Sequence, residues 1–249
     1  MEKDRKELAV KALSFILWIM VYELISKIVG KSLLVPSVKE IISVFIHLCA
    51  EPMFRNTVFF SVLRIFTGFF AAAVFGVITA YCSYFYKIFY YFIYPVVSII
   101  RAVPVASFII LTLLWIKSGY VPAFISFLIV FPVIWSNIFQ GLKETDSKLI
   151  EMAKIFDFSF FKKIRMIYFP QTKPFFKSAG ITGLGLAWKS GIAAEVISMP
   201  KLSIGRSLYE AKLYIETPEL FAWTLTVIIL SIITEKVLTV LFKWGLKER

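Results

Sequence analysis

A lysine set in an apolar run is costly and needs a reason. Lys189 stands inside LGLAWKSGIAAEVIS (184–198), with Glu195 in the same run. A lysine at mid-bilayer costs about 2.5–3.5 kcal/mol on insertion scales, so it must face a cavity or a partner. Two chemistries fit: a positive charge lining a path for a charged solute, or a pair with Glu195 or a buried carbonyl. Helical spacing puts Ser178, Thr182 and Gly185 on the same face as Lys189, so Thr182 joins it as a candidate path residue. Arg101, just ahead of Pro104, divides the same way. It is either a gate or pore residue, or a cap for carbonyls that Pro104 frees.

Other site chemistry finds little support. His47 is the single histidine, and Cys49 and Cys82 lie 33 positions apart with no second pair. That is neither a metal spacing nor a disulfide framework, and two packing thiols are expected. The tripeptide GKS at 30–32 has Ile25 where a phosphate loop needs its first glycine. No nucleophile constellation is visible. The chain is therefore expected to be no enzyme and to bind no metal or cofactor, and any energy it uses must come from a separate subunit.

The elements that carry these residues follow from hydropathy. The chain is 59% hydrophobic with 26 Phe, its mean hydropathy is +0.80, and its 18% of charged residues cluster between long apolar runs. Runs of about 20 apolar residues match a hydrocarbon core of roughly 30 Å. An all-α, polytopic membrane protein is expected, with spans at 8–29, 58–83, 88–116, 121–139, 175–198 and 219–242. The first is read as a retained anchor, since no small-residue cleavage site follows it. The third is too long for a regular span and holds Pro95 and Pro104, so a broken or kinked helix is expected there. Between the first two spans, Ser37 and Glu40 form a capping box for a short amphipathic helix. Residues 1–57 thus form an N-terminal region of span plus amphipathic segment, and 58–245 a core.

With the N-terminus inside, the inner segments hold fifteen Lys and Arg and the outer loops seven. The positive-inside rule then places both termini in the cytoplasm. The net charge of +12 reports these basic loops, and no basic-aromatic face is left for a nucleic acid. In the fifth span Ala179, Gly183, Ala187 and Gly191 repeat every four residues, as do Gly68, Ala72, Gly76 and Ala80 in the second. Such ridges let another helix approach closely, within the subunit or across a dimer seam.

The stretch EMAKIFDFSFFKKIRMIYFP (151–170) falls in the inner loop 143–173. Thr145 to Phe156 reads as a short helix, with a turn around Asp157. A second helix starts at the N-cap Ser159 and is expected to end at about Tyr168, ahead of Pro170. Its apolar stripe is Phe160, Phe161, Ile164, Ile167 and Tyr168, with Lys162, Lys163 and Arg165 on the other sides. Such an element can lie on lipid or dock a cytosolic partner, and periodicity does not choose.

This loop resembles the EAA loop of bacterial ABC-importer permeases, whose pattern is E-A-A, three residues, Gly, nine residues, I-x-L-P. Glu151, Ala153, Ile167 and Pro170 match it, Met152 and Phe169 are mild departures, and Asp157 stands at the turn glycine. Asp tolerates the left-handed region better than most residues. SVLRIFTGFFAAAVFG (61–76), RAVP (101–104), and 184–198 followed by SIGRSLYEA (203–211) resemble further signatures, the last of the nitrate, sulfonate and taurine branch.

The resemblance implies a type I, MetI-like permease core in a bacterial plasma membrane. It implies a homodimer, two cytosolic ATPase subunits and an extracytoplasmic solute-binding protein. It assigns coupling to Glu151, Ala153, Asp157, Phe160, Phe161, Ile164, Ile167 and Pro170. The implied substrate is a small anion or a heterocyclic vitamin precursor. An ion-coupled secondary transporter is the alternative. It would want intramembrane carboxylates and internal repeats, and only Glu195, Glu23 and Glu235 offer themselves.

Overall fold

The computed structural model describes residues 2–245. Lys247 and Arg249, and the side chains of Lys3, Arg5 and Lys6, all counted among the inner charges, lie outside what it describes. The described residues form helices α1 (Glu2–Val29), α2 (Val38–Ala50), α3 (Pro52–Phe85), α4 (Lys87–Ala102), α5 (Val105–Thr112) and α6 (Val121–Lys143). Then come α7 (Ser147–Ile155), α8 (Phe160–Lys163), a π turn (Ile164–Tyr168), α9 (Phe169–Ser198), α10 (Ile204–Leu213) and α11 (Thr217–Gly245). No strand occurs among them.

Three helices, α3, α6 and α11, are long and apolar enough to cross a bilayer, and α4 with α5 makes a fourth if a bent pair counts as one span. The bend is 104° and falls at Val103 and Pro104, where proline disfavours helical geometry in the residue before it. Pro95 stays inside α4 without breaking it. The other two expected spans, α1 and α9, are 28 and 30 residues long, enough to cross by length at 1.5 Å per residue. In α9 the small residues of its ridge, together with Lys189 and Glu195, dilute the apolar character.

The core is built where α3, α6 and α9 meet. Ile65, Phe69 and Ala72 of α3, Val130, Ile134 and Trp135 of α6, and Leu184, Ala187 and Trp188 of α9 are all buried in it. Both small-residue ridges point into this seam. A Cβ on Gly76 would lie 2.8 Å from Ile134, and one on Gly191 would lie 2.6 Å from Ile65. The ridges therefore serve packing within the subunit, and dispersion between closely approached backbones replaces the absent hydrophobic drive in lipid. Indole donors in the seam are satisfied, with Trp135 Nε1 donating to Ser83 Oγ and Trp188 Nε1 to Thr234 Oγ1, both at 3.0 Å.

The capping box forms as expected, with Ser37 and Glu40 bonding each other's backbone N–H groups at the start of α2. The end of the second loop helix does not. Helix runs unbroken from Phe160 through the π turn into α9, and Pro170 sits in the first turn of α9. In the π turn the Phe169 N–H donates to the Ile164 carbonyl, five residues back. That wider ring relieves the clash of a proline with the preceding turn and absorbs its missing donor.

Candidate functional site

The loop 143–173 folds as an elbow. The side chain of Asp146 caps α7 by accepting from the Lys148 N–H at 2.9 Å. The chain reverses where the Phe158 N–H donates to the Ala153 carbonyl at 2.9 Å. Between them Asp157 adopts φ 47°, the left-handed conformation that the pattern at this position requires. Ser159 is extended at the N-cap, although its hydroxyl makes no cap bond.

The apolar stripe divides in two. Ile167 and Tyr168 are buried in the chain's own core, and Ile164 is half-buried against it. Phe160 meets Phe85 edge-on at 5.0 Å. Phe161, by contrast, is 81% exposed, and Ile155 and Phe156 of the same elbow are 79% and 67% exposed. Ala153 is fully buried at the base of the elbow, whereas Glu151, Asp157 and Pro170 are exposed. Lys162 lies over the Phe158 ring at 3.9 Å, leaving a basic border beside the apolar knob.

The polar face of α9 is the second region. Ser178, Thr182 and Lys189 are all exposed in the isolated subunit, and Gly185 between them faces open space. Lys189 makes no hydrogen bond or ion pair among the described residues. It does not pair with Glu195, because six residues along a helix place the two on different faces. Arg101 donates from Nη2 to the Pro132 carbonyl of α6 at 3.0 Å. It thus ties the end of α4 to α6 and caps no carbonyl freed by Pro104. The structure brings Thr182 and Lys189 onto one face, with Arg101 on another element.

The third region was missed by sequence reasoning. Glu195, with no exposed surface, accepts from Ser61 Oγ at 2.8 Å, from the Gly205 N–H at 3.0 Å and from Arg64 Nη1 at 3.4 Å. Arg64 also donates to the carbonyls of Lys201 at 2.8 Å and Leu202 at 2.9 Å. Ser61 Oγ in turn accepts from the Ile204 N–H at 2.9 Å. A signal was available: an arginine and a glutamate both placed inside apolar runs are expected to find each other.

The structure is that of a multi-pass, all-helical membrane protein with an elbow between two spans, and comparison places it in a family. The family model of a binding-protein-dependent transport system inner membrane component matches residues 72–244. The chain belongs to this family, which is a transport component and not an enzyme. It is 24% identical over 208 residues to a protein of Methanocaldococcus jannaschii provisionally named an ABC transporter permease, covering 81% of this chain and 78% of that one. It is 25% identical over 191 residues to a protein of Bacillus subtilis provisionally named an aliphatic sulfonates transport permease, covering 76% and 68%. Its place is thus that of an ABC transporter permease, whose partners in general terms are an ATPase and a binding protein.

Proposed function

We propose that this chain couples a separate ATPase to solute import through the α7–α8 elbow, as one half of a homodimer. The observation that carries the reading is the knob of Ile155, Phe156 and Phe161, each at least two-thirds exposed on a loop between spans. Large apolar groups rimmed by charge mark a partner's seat more often than bare solvent. Asp157 makes the turn that presents the knob, and Glu151 stands exposed beside it. Ala153, Ile164 and Ile167 act from beneath by fixing the elbow to the core, Phe160 bridges the two, and Pro170 leads into α9. In this reading residues 58–245 form the permease core, 1–57 the added span and outer segment, and both termini are cytoplasmic. Thr182 and Lys189, with Arg101, line the path near the dimer axis. A lysine there favours a small anion, and the sulfonate permease relative supports that class; a vitamin-precursor heterocycle is the other substrate considered.

The test is co-purification. Phe161→Asp puts a charge where a groove must desolvate it, at a cost of several kcal/mol, and the ATPase subunit is expected to be lost during purification while the membrane subunit stays folded. Retention at the wild-type ratio, with only membrane association of the loop weakened, would assign the knob to lipid. For the path, Lys189→Met is expected to abolish uptake with assembly and basal ATPase rate intact. A fall in assembled complex in proportion to uptake would make the lysine structural.

A further inference from the structure

The linker between α9 and α10 is held far more firmly than a surface loop requires. Met199 and Leu202 adopt φ 47° and φ 51°, which costs a non-glycine residue on the order of 1–2 kcal/mol each. Such strain persists only where the surroundings over-determine it. Here the surroundings are Arg64 on the carbonyls of Lys201 and Leu202 and Glu195 on the Gly205 N–H. The first amides of α10 are all claimed, by Ser61 for Ile204, by Glu195 for Gly205 and by Ser203 for Arg206. Gly205 has no room for a side chain, since a Cβ there would sit 2.5 Å from the Val196 nitrogen. The near end of α10 is thereby fused to α3 and α9, while its far end, Leu213 to Glu216, is exposed.

We infer that Arg64 and Glu195 are positioning residues that make α10, the adjoining part of α3 and the outer end of α9 move as one body. A push on α10 then reaches the helix that carries Thr182 and Lys189. Neither residue touches solute; they act through α9. The inference rests on the proposed orientation, which sets α10 on the side where a binding protein arrives. Coupling that reaches one site from another is typically worth five- to 150-fold in an equilibrium.

The experiment uses the full complex with its binding protein, in lipid nanodiscs. Spin labels at Lys212→Cys on α10 and Phe59→Cys on α3 report their separation, and ATPase rate is measured with and without the binding protein. In Arg64→Lys, which keeps the charge but loses the two-carbonyl fork, the distance distribution is expected to broaden. Binding-protein stimulation is expected to fall at least about fivefold, with the basal rate and the yield of complex unchanged. Ser61→Ala, a milder change, should move both readouts the same way and serves if Arg64→Lys assembles poorly. An unchanged distribution with full stimulation, or a proportional loss of basal and stimulated rates, overturns the inference. If the wild-type complex itself shows no stimulation, it is the proposed function that fails.

Discussion

The elbow at Asp157 and the linker at Met199 to Ser203 solve one geometric problem with opposite investments. Each joins a short helix to a span, and each reverses the chain through left-handed residues that are not glycine. In the linker nearly every polar group is answered from inside the subunit, by Arg64, Ser61 and Glu195. In the elbow the reversal is local, held by the bond from Phe158 to Ala153, and three large apolar side chains are left outside. A region completed from within is built to keep its shape. A region left incomplete is one that the proposed ATPase subunit would finish.

Three measurements break or sharpen this contrast. The first is all-or-none: the two regions must lie on opposite sides of the membrane. A cysteine at position 173 should react with an impermeant thiol reagent only from the cytosol, and one at 201 only from outside. Reversed labelling removes the elbow from any cytosolic partner. The second tests the closed region. Gly205→Val forces a side chain against the backbone at Val196, and overpacking that cannot relax costs about 3 kcal/mol. The expected result is a clear loss of folded protein in the membrane, read by fluorescence-detected size-exclusion chromatography; a wild-type yield would mean the linker is loose. The third is the smallest. Asp157→Gly removes the left-handed penalty at an exposed position and should stabilise the elbow by about 1 kcal/mol. Its readout is slower proteolytic cleavage of the inner loop, and faster cleavage would show that the Asp side chain holds the turn.

What the sequence made legible was mostly local. The Ser37–Glu40 box, the break at Pro104 and the left-handed Asp157 each depend on a few neighbouring residues, and each is found where the pattern puts it. The burial of both small-residue ridges needed one tertiary assumption, close helix approach. What was hidden depended on distant partners. Ile164 and Ile167 share a stripe with Phe161, yet only packing against the core separates buried from exposed members. Arg64 and Glu195 lie 131 positions apart, beyond any periodicity. Pro170 misled because a proline's effect depends on the ring that precedes it, and a π turn here accommodates one that an α turn would not.

That π turn bears on how force would travel. Helix runs without a break from Phe160 to Ser198, through the π turn and past Pro174 inside α9, so the elbow's second arm and α9 are one continuous stretch of about 58 Å at 1.5 Å per residue. Where such a stretch bends, it bends at a π turn or an internal proline, here Ile164–Tyr168 and Pro174. Lys189 lies nearer the far end of this stretch than its start. A break at Pro170 would have made the two arms independent; under the proposed coupling role, continuity would carry a displacement of the elbow into α9.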